Sequence, residues 1–246
     1  MKMDKKAPIK NILLISLFIT GSVGLVAMGH AESEIDPDTA IGKISTTLGG
    51  RLYDNWWEVL QNNEPDSQHP AYPSKGEATG SKTWRCPECH GWDYKGAAGI
   101  KGVLGMAGGD PSKIKVILRD ETHQYTPQML TDKAVDRLAD FISYGLIDVD
   151  LYIDRASMEP KGDAKRGKVI FESICALCHG ENGKAINFGS EDAPEYVGTV
   201  AKFELLEALH KVRNGQPAQP MMSLITQPIQ TQIDVLTYER TLPTSD

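Results

Sequence analysis

One short pattern, Cys-x-x-Cys-His, occurs twice in this chain and uses all four of its cysteines. Two thiols at this spacing can form thioether bonds with the two vinyl groups of one haem, and the adjacent imidazole then lies beneath the iron as its proximal ligand. The pattern therefore predicts two covalently bound c-type haems. The predicted attachment residues are Cys86, Cys89, Cys175 and Cys178, and the predicted proximal ligands are His90 and His179.

A Cys-x-x-Cys pair alone also occurs in thioredoxin-type redox sites, in zinc sites and in disulfides. Two such pairs could together form a four-sulfur zinc site, which is the strongest alternative to haem. Neither zinc nor a disulfide explains a histidine directly after both pairs, since only six of the 246 residues are histidine. The two histidines therefore favour haem, and with it a function that involves electrons.

Residues 1–31 have the organisation of an export signal. Four lysines flank the start of an apolar run at residues 12–28, and Gly29-His30-Ala31 supplies small residues at the last and third-last positions of a cleavage site. The run contains two glycines and is short for a membrane span. We expect cleavage after Ala31 and a periplasmic mature protein, with membrane association only if the signal is not cleaved.

The predicted mature chain is strongly acidic. Removal of residues 1–31 takes away four lysines and one aspartate, so the formal net charge changes from −7 to −10. A surface of this sign attracts partners with basic docking surfaces, and it disfavours nucleic acid. The expected partners are therefore redox proteins with basic docking surfaces.

The two cysteine motifs start 89 residues apart, which is about the length of one small domain. We therefore predict a first unit at residues 32–150, a connecting segment at residues 151–161 and a second unit at residues 162–246. The connecting segment mixes apolar and charged residues, so it is expected to be ordered.

The second unit has the clearer pattern of helices. Asp163 is the expected N-cap of a helix that runs into Cys175. A short amphipathic helix is predicted at residues 205–212 and is expected to end at Gly215. Apolar residues near helical spacing predict a final helix over about residues 231–242.

This order of elements resembles the class I cytochrome c family. In that family a glycine and an aromatic residue on the first helix pack against an aromatic residue on the last helix, and Gly167, Phe171 and Tyr238 match these positions. The resemblance implies an all-α fold with two class I cytochrome c domains in tandem. Each domain is expected to consist of a few helices around one covalent haem.

The first unit is a looser copy of the same plan. Gly49 and Tyr53 repeat the glycine-to-aromatic spacing of the second unit, and Phe141 occupies the place of the second aromatic residue. The longer distance from Gly49 to the cysteine motif predicts a loop insertion at about residues 58–83, rich in Pro, Gly, Ser and Asn. We expect His69, within this insertion, to be solvated.

The resemblance also implies a methionine as the distal ligand of each iron. Met221 follows a stretch that resembles the family's methionine loop, and Met129 lies in a similar stretch of the first unit. Met222 remains an alternative to Met221. His123 remains an alternative to Met129, and His210 is a weaker alternative in the second unit.

Aromatic residues are concentrated around the first cysteine motif. We expect them to pack around the first haem or to donate hydrogen bonds to its propionates. They are Trp56, Trp57, Trp84, Trp92 and Tyr94.

These features predict an electron carrier that is not itself an enzyme. A His/Met pair raises the reduction potential and leaves no open position for a small molecule. The alternatives are a haem-bearing subunit of a periplasmic dehydrogenase or oxidase complex, and a dihaem enzyme such as a thiosulfate dehydrogenase or a peroxidase. Thiosulfate dehydrogenases use a distal cysteine, and this chain has no cysteine outside its two motifs.

Overall fold

The computed structural model describes residues 36–244, so the predicted signal at residues 1–31 lies outside the described residues. Within this range the chain is mostly helical, as predicted. The helices are α1 (Ala40–Leu60), α2 (Cys86–His90), α3 (Pro111–Leu118), α4 (Asp132–Asp140), α5 (Ala164–Ile170), α6 (Ala176–His179), α7 (Val197–Phe203), α8 (Leu205–Asn214) and α9 (Ile229–Glu239). Short 3-10 turns lie at Gly80–Trp84, Leu104–Met106 and Val149–Leu151, and π-helical turns at Phe141–Gly145 and Phe171–Cys175. None of the described helices is both long enough and apolar enough to cross a membrane.

Helices α1 and α4 cross at Gly49. A Cβ atom at this position would lie 1.9 Å from the carbonyl oxygen of Arg137 and 2.6 Å from Cβ of Phe141. Only a residue without a side chain permits the two backbones to approach this closely. One turn further along α1, the ring of Tyr53 packs against that of Phe141, with 5.5 Å between their centroids. The predicted contact between these two aromatic residues is confirmed.

Helices α5 and α9 cross in the same manner at Gly167. A Cβ atom there would lie 1.9 Å from the carbonyl oxygen of Asp234 and 3.0 Å from Cβ of Tyr238. The rings of Phe171 and Tyr238 have their centroids 5.4 Å apart. The predicted glycine and aromatic contacts of the second unit are therefore confirmed as well.

The predicted ends of the helices are mostly close to the observed ones. The carboxylate of Asp163 accepts hydrogen bonds from the first turn of α5, as an N-cap does. Gly215 follows the last residue of α8, as predicted. The final helix was predicted over residues 231–242, but α9 begins at Ile229 and ends at Glu239. Residues 240–242 instead form a turn, in which the Thr241 N–H donates to the carbonyl of Tyr238.

The prediction that His69 is solvated is wrong. His69 is only 7 % exposed, and its ring lies 4.3 Å from that of Trp84. Its Nδ1 accepts a hydrogen bond from the Ala71 N–H, and its Nε2 donates to the carbonyl of His123. Both polar atoms of the imidazole are therefore satisfied inside the fold, which removes the main cost of burying it. The insertion packs against the first unit through this residue.

The connecting segment is ordered, as predicted. Strands β1 (Ile153–Asp154) and β2 (Glu159–Pro160) pair antiparallel within it. The guanidinium of Arg155 lies 2.7 Å from the carboxylate of Asp93, just after the first cysteine motif.

His210 joins α8 to α1 at the centre of the fold. The side chain is fully buried; its Nε2 donates to the carbonyl of Gly50 at 2.8 Å, and the hydroxyl of Tyr94 donates to its Nδ1 at 2.9 Å. Burial is the main reason that the pKa of His210 is lowered to about 4. The neutral imidazole is therefore part of the folded structure.

We predict that alanine at either crossing glycine destabilises the protein. Gly49→Ala and Gly167→Ala each place a methyl group against a backbone carbonyl, which should lower the free energy of unfolding by about 1–3 kcal/mol. Gly105→Ala is a matched control, because a Cβ atom there has nothing within 4 Å. Chemical denaturation of the haem-loaded protein measures the difference. A Gly167→Ala variant as stable as the control would contradict the close crossing.

We also predict that His210 makes the protein sensitive to acid. The pKa of His210 is about 4 in the folded protein and near 6.5 in the unfolded chain. The contribution of its neutral imidazole to the free energy of unfolding is therefore complete above about pH 6.5 and is lost as the pH falls towards 4. This lowers the free energy of unfolding by about 3 kcal/mol. His210→Gln keeps a donor and an acceptor but does not titrate, so its unfolding free energy should fall less between pH 7 and pH 4.5. Equal falls in the two proteins would refute this role.

Candidate haem-binding sites

The first cysteine motif forms the short helix α2, which is tied to α1. The hydroxyl of Tyr53 donates to the carbonyl of Gly91, directly after the motif, at 2.8 Å. Nδ1 of His90 donates to the carbonyl of Lys101 at 2.9 Å. A carbonyl can only accept, so Nδ1 carries the proton and Nε2 keeps its lone pair. His90 is therefore held in the tautomer that a proximal ligand requires.

The second motif is reached directly from α5, through the π-helical turn Phe171–Cys175. The backbone around the two motifs follows the same path. Gly91 and Gly180, which follow the two histidines, have φ values of 77° and 75°. In each motif the carbonyl of the histidine accepts a hydrogen bond from the N–H of the residue six positions later in the chain. The donors are Gly96 for His90 and Ala185 for His179, and both bonds are 2.9 Å long.

The state of the thiols argues against a thioredoxin-type redox pair. Burial raises the pKa of Cys86 to about 12, that of Cys89 to about 11 and that of Cys175 to about 12. Reactive cysteine pairs instead have lowered pKa values, because the thiolate is the attacking form. All four cysteines are free of disulfides. The described residues contain no group of three or more Cys, His, Asp or Glu side chains that could hold a metal ion.

The imidazoles of both motifs are in the form that binds iron. Burial lowers the pKa of His90 and of His179, so both rings are neutral at pH 7. Among the described residues, the buried Nδ1 of His179 has no hydrogen-bonding partner.

Arg213 carries a buried charge that the polypeptide does not neutralise. It is 4 % exposed, its Nη2 donates to the carbonyl of Gly145 at 2.7 Å, and its Nε has no partner in the described part of the chain. No carboxylate within residues 36–244 forms an ion pair with it. A buried, unpaired guanidinium is costly, and a haem propionate would neutralise it. The cysteines, the neutral imidazoles and this cation together fit covalent haem.

The segment that carries Met221 is held by α1, the first of the described helices. Arg51, on α1, donates through Nη2 to the carbonyl of Met221 and through Nε to the carbonyl of Asn214, the latter at 2.8 Å. Met221 is half-buried, whereas Met222 is 61 % exposed. The structure therefore favours Met221 over Met222 as a residue that faces the interior.

Near the first motif the structure brings a second histidine close to His90. The rings of His90 and His123 have centroids 6.1 Å apart. Met129 is half-buried and packs against the hydrophobic core around α1 and α4. His210 uses both ring nitrogens within the protein, so it has none left for iron.

Most of the aromatic cluster belongs to the core of the first unit. Nε1 of Trp56 donates to the carbonyl of Trp84, and Nε1 of Trp84 donates to the carbonyl of Ser67. The prediction that the aromatic side chains donate to propionates is therefore wrong for these two indoles, since their N–H groups are already used. Trp92 lies beneath the cations of Arg85 and Lys211 instead.

A buried ion-pair network that the sequence did not indicate lies beside the first motif. The carboxylate of Asp54 is 1 % exposed and receives Arg85 Nη2 at 2.6 Å and Lys211 Nζ on its other oxygen. Arg85 precedes the motif and Lys211 lies on α8, so the network holds the motif against that helix. The burial of the charges of Asp54 and Arg213 has no sequence signal, because it depends on which helices meet.

Comparisons with known proteins agree with this chemistry. The family model described as cytochrome C oxidase, cbb3-type, subunit III matches residues 162–228. A protein named "Cytochrome c-553-like" from Synechocystis sp. is 31 % identical over 99 residues, which are 40 % of this chain and 87 % of that protein. The chain belongs to the cytochrome c family. No solved structure matches it significantly. Membership of the cytochrome c family implies covalently bound haem c and a role in electron transfer.

We predict that Arg213 tunes the potential of the cytochrome. Arg213→Met removes a buried positive charge, which should stabilise the more positive ferric iron and lower one midpoint potential of the haem-loaded protein. Arg213→Lys keeps the charge and should retain most of the potential. A redox titration of the three proteins measures this. Unchanged potentials in the methionine variant would contradict a propionate at this position.

Proposed function

We propose that this protein is a periplasmic dihaem cytochrome c that transfers electrons between redox partners. The observation that carries the proposal is the repeated backbone path around both Cys-x-x-Cys-His motifs, with the same bond from each histidine carbonyl to the residue six positions on. The two glycine-centred helix crossings support it. The first cytochrome unit would be residues 32–150, the connecting segment residues 151–161 and the second unit residues 162–246.

In this proposal each cysteine pair anchors one haem by thioether bonds. Each haem supplies iron that alternates between the ferrous and ferric states. His90 and His179 would bind the two irons through Nε2, and Met221 would be the second ligand of the second iron. The sequence assigns Met129 to the corresponding position of the first site, where His123 is its competitor. The surrounding side chains exclude water and hold the ligands in place, so that little has to move when an electron arrives.

The charge of the chain supports protein partners. The expected mature protein has a net charge of −10, so it would be attracted to basic docking surfaces on its electron donor and acceptor. This attraction should weaken as the salt concentration rises. The proposed periplasmic location depends on removal of residues 1–31.

The second candidate is a subunit of a larger oxidase or dehydrogenase complex. It is favoured by the match of residues 162–228 to a family model named for an oxidase subunit. The chain's role in electron transfer would be the same, but its donor or acceptor would be a permanent partner. A dihaem enzyme is less well supported. All four cysteines lie in the two motifs, so no cysteine remains as the distal ligand of a thiosulfate dehydrogenase.

An optical redox titration tests the proposed carrier. The wild-type protein should show two one-electron transitions, and the double variant Cys175→Ser, Cys178→Ser should show one. Thiosulfate and peroxide should not be turned over. A single transition in the wild type, or rapid turnover of either substrate, would refute the proposal. Purification from the native host separates a free carrier from a subunit, because only a subunit elutes with a larger complex.

A further inference from the structure

We propose that His123, and not Met129, is the distal ligand of the first haem. This inference rests on the dihaem function proposed above and gives its two sites different ligands. The rings of His90 and His123 have centroids 6.1 Å apart and planes inclined by 31°. A metal–imidazole bond is about 2 Å long and the ring centre lies roughly 1 Å beyond the bonded nitrogen, so two imidazoles on opposite sides of one iron have centroids about 6 Å apart.

Within residues 36–244, the hydrogen bonds of both rings use Nδ1 and not Nε2. Nδ1 of His90 donates to the carbonyl of Lys101, and Nδ1 of His123 donates to Oδ1 of Asp120 at 3.2 Å. A carbonyl and a carboxylate can only accept, so Nδ1 of each ring carries a proton, and in the neutral form of either ring Nε2 is the nitrogen with the lone pair. Histidine ligands of metals almost always have this arrangement, with the second nitrogen bonded to a carbonyl or a carboxylate.

The turn that carries His123 is fixed from several directions. Oδ1 of Asp120 also accepts the main-chain N–H of His123 at 3.0 Å, and the buried Nε2 of His69 donates to its carbonyl at 3.0 Å. Gln124 adopts a φ of 56°, which is uncommon for a residue with a side chain. The insertion at about residues 58–83 therefore contributes, through His69, to holding this histidine in place.

The internal repeat also places His123 where Met221 lies in the second unit. Tyr238 comes 17 residues after Met221, and Phe141 comes 18 residues after His123 but only 12 after Met129. Both aromatic residues lie at the crossing of a first and a last helix, so they are equivalent reference points. Measured from the last helix, His123 is the counterpart of Met221 and Met129 is not.

Met129 is tied to the start of α4 instead. It lies two residues before Thr131, whose side chain caps that helix. Its N–H donates to the carbonyl of Thr126, and its carbonyl accepts from Nδ2 of Asn62 at 2.9 Å. Its side chain packs against the core around α1 and α4, which is the usual role of a buried methionine.

Different ligands would give the two sites different potentials. An imidazole favours ferric iron more than a thioether does, so the first site would have the lower potential and the second site, with Met221, the higher. One electron would then pass from ferrous iron in the first site to ferric iron in the second, with no bond made or broken. A one-electron donor protein would reduce the first site, and an acceptor protein would oxidise the second.

The test compares three variants of the haem-loaded full chain by absorption spectroscopy and redox titration. The weak far-red band of ferric, methionine-ligated haem should disappear completely in Met221→Leu and be unchanged in Met129→Leu. His123→Ala should convert one of the two haems to the high-spin state and raise the lower midpoint potential. If His123→Ala does not fold, the two methionine variants still decide the question.

The opposite pattern would overturn the assignment. If Met129→Leu removes half of the far-red band or creates a high-spin haem, Met129 is the ligand and the inference is wrong, while the dihaem function stands. A haem-to-protein ratio measured on the same samples separates the two failures. A ratio of two with a Met129-dependent spectrum rejects the ligand alone, and the lack of haem at the first motif rejects both proposals.

Discussion

The close crossing of two helix pairs fixes the position of both cysteine motifs. At Gly49 and at Gly167 two backbones meet at a distance that no side chain permits. Helix α5 continues through one π-helical turn into Cys175, and α1 holds the first motif through the hydroxyl of Tyr53. The histidine of each motif is therefore positioned by a helix whose own place is fixed by a glycine contact. The helix crossings therefore determine where the cysteines of both motifs lie.

Hydrogen bonds and ion pairs connect the two halves of the described chain, so the structure of each half depends on the other. Arg51, on α1, binds the carbonyl of Met221, and Asp54, on the same helix, binds Lys211 on α8. Arg213 reaches from α8 to the carbonyl of Gly145. These contacts connect elements that position both cysteine motifs, so a substitution in one half is expected to affect the motif in the other.

The sequence predicted those features that depend on spacing along one helix. Gly49, Gly167 and their aromatic partners were predicted from the resemblance to the class I cytochrome c family, in which the glycine and the aromatic residue four positions on lie near the same helix face. The burial of His69 could not be predicted, since it depends on an indole and a carbonyl that the chain brings together only in the fold. The unpaired charge of Arg213 depends in the same way on where α8 packs.

The proposed distal ligands depend on the residue from which their spacing is counted. Counted from the proximal histidine, Met129 at 39 residues resembles Met221 at 42 more closely than His123 does at 33. The loops between motif and ligand differ in length, so the number of residues from the proximal histidine is not a reliable guide to a shared geometry. The number of residues from the ligand to the aromatic residue of the last helix is a better guide, because that aromatic residue is fixed at the helix crossing.

The central claim is that each cysteine pair is bonded to its own haem. Proteolysis of the mature protein followed by mass spectrometry of the fragments tests it most directly. The account predicts two haem-bearing peptides, one that contains Cys86 and Cys89 and one that contains Cys175 and Cys178, each heavier by one haem. A peptide of unmodified mass at either motif in the purified, coloured protein would contradict it.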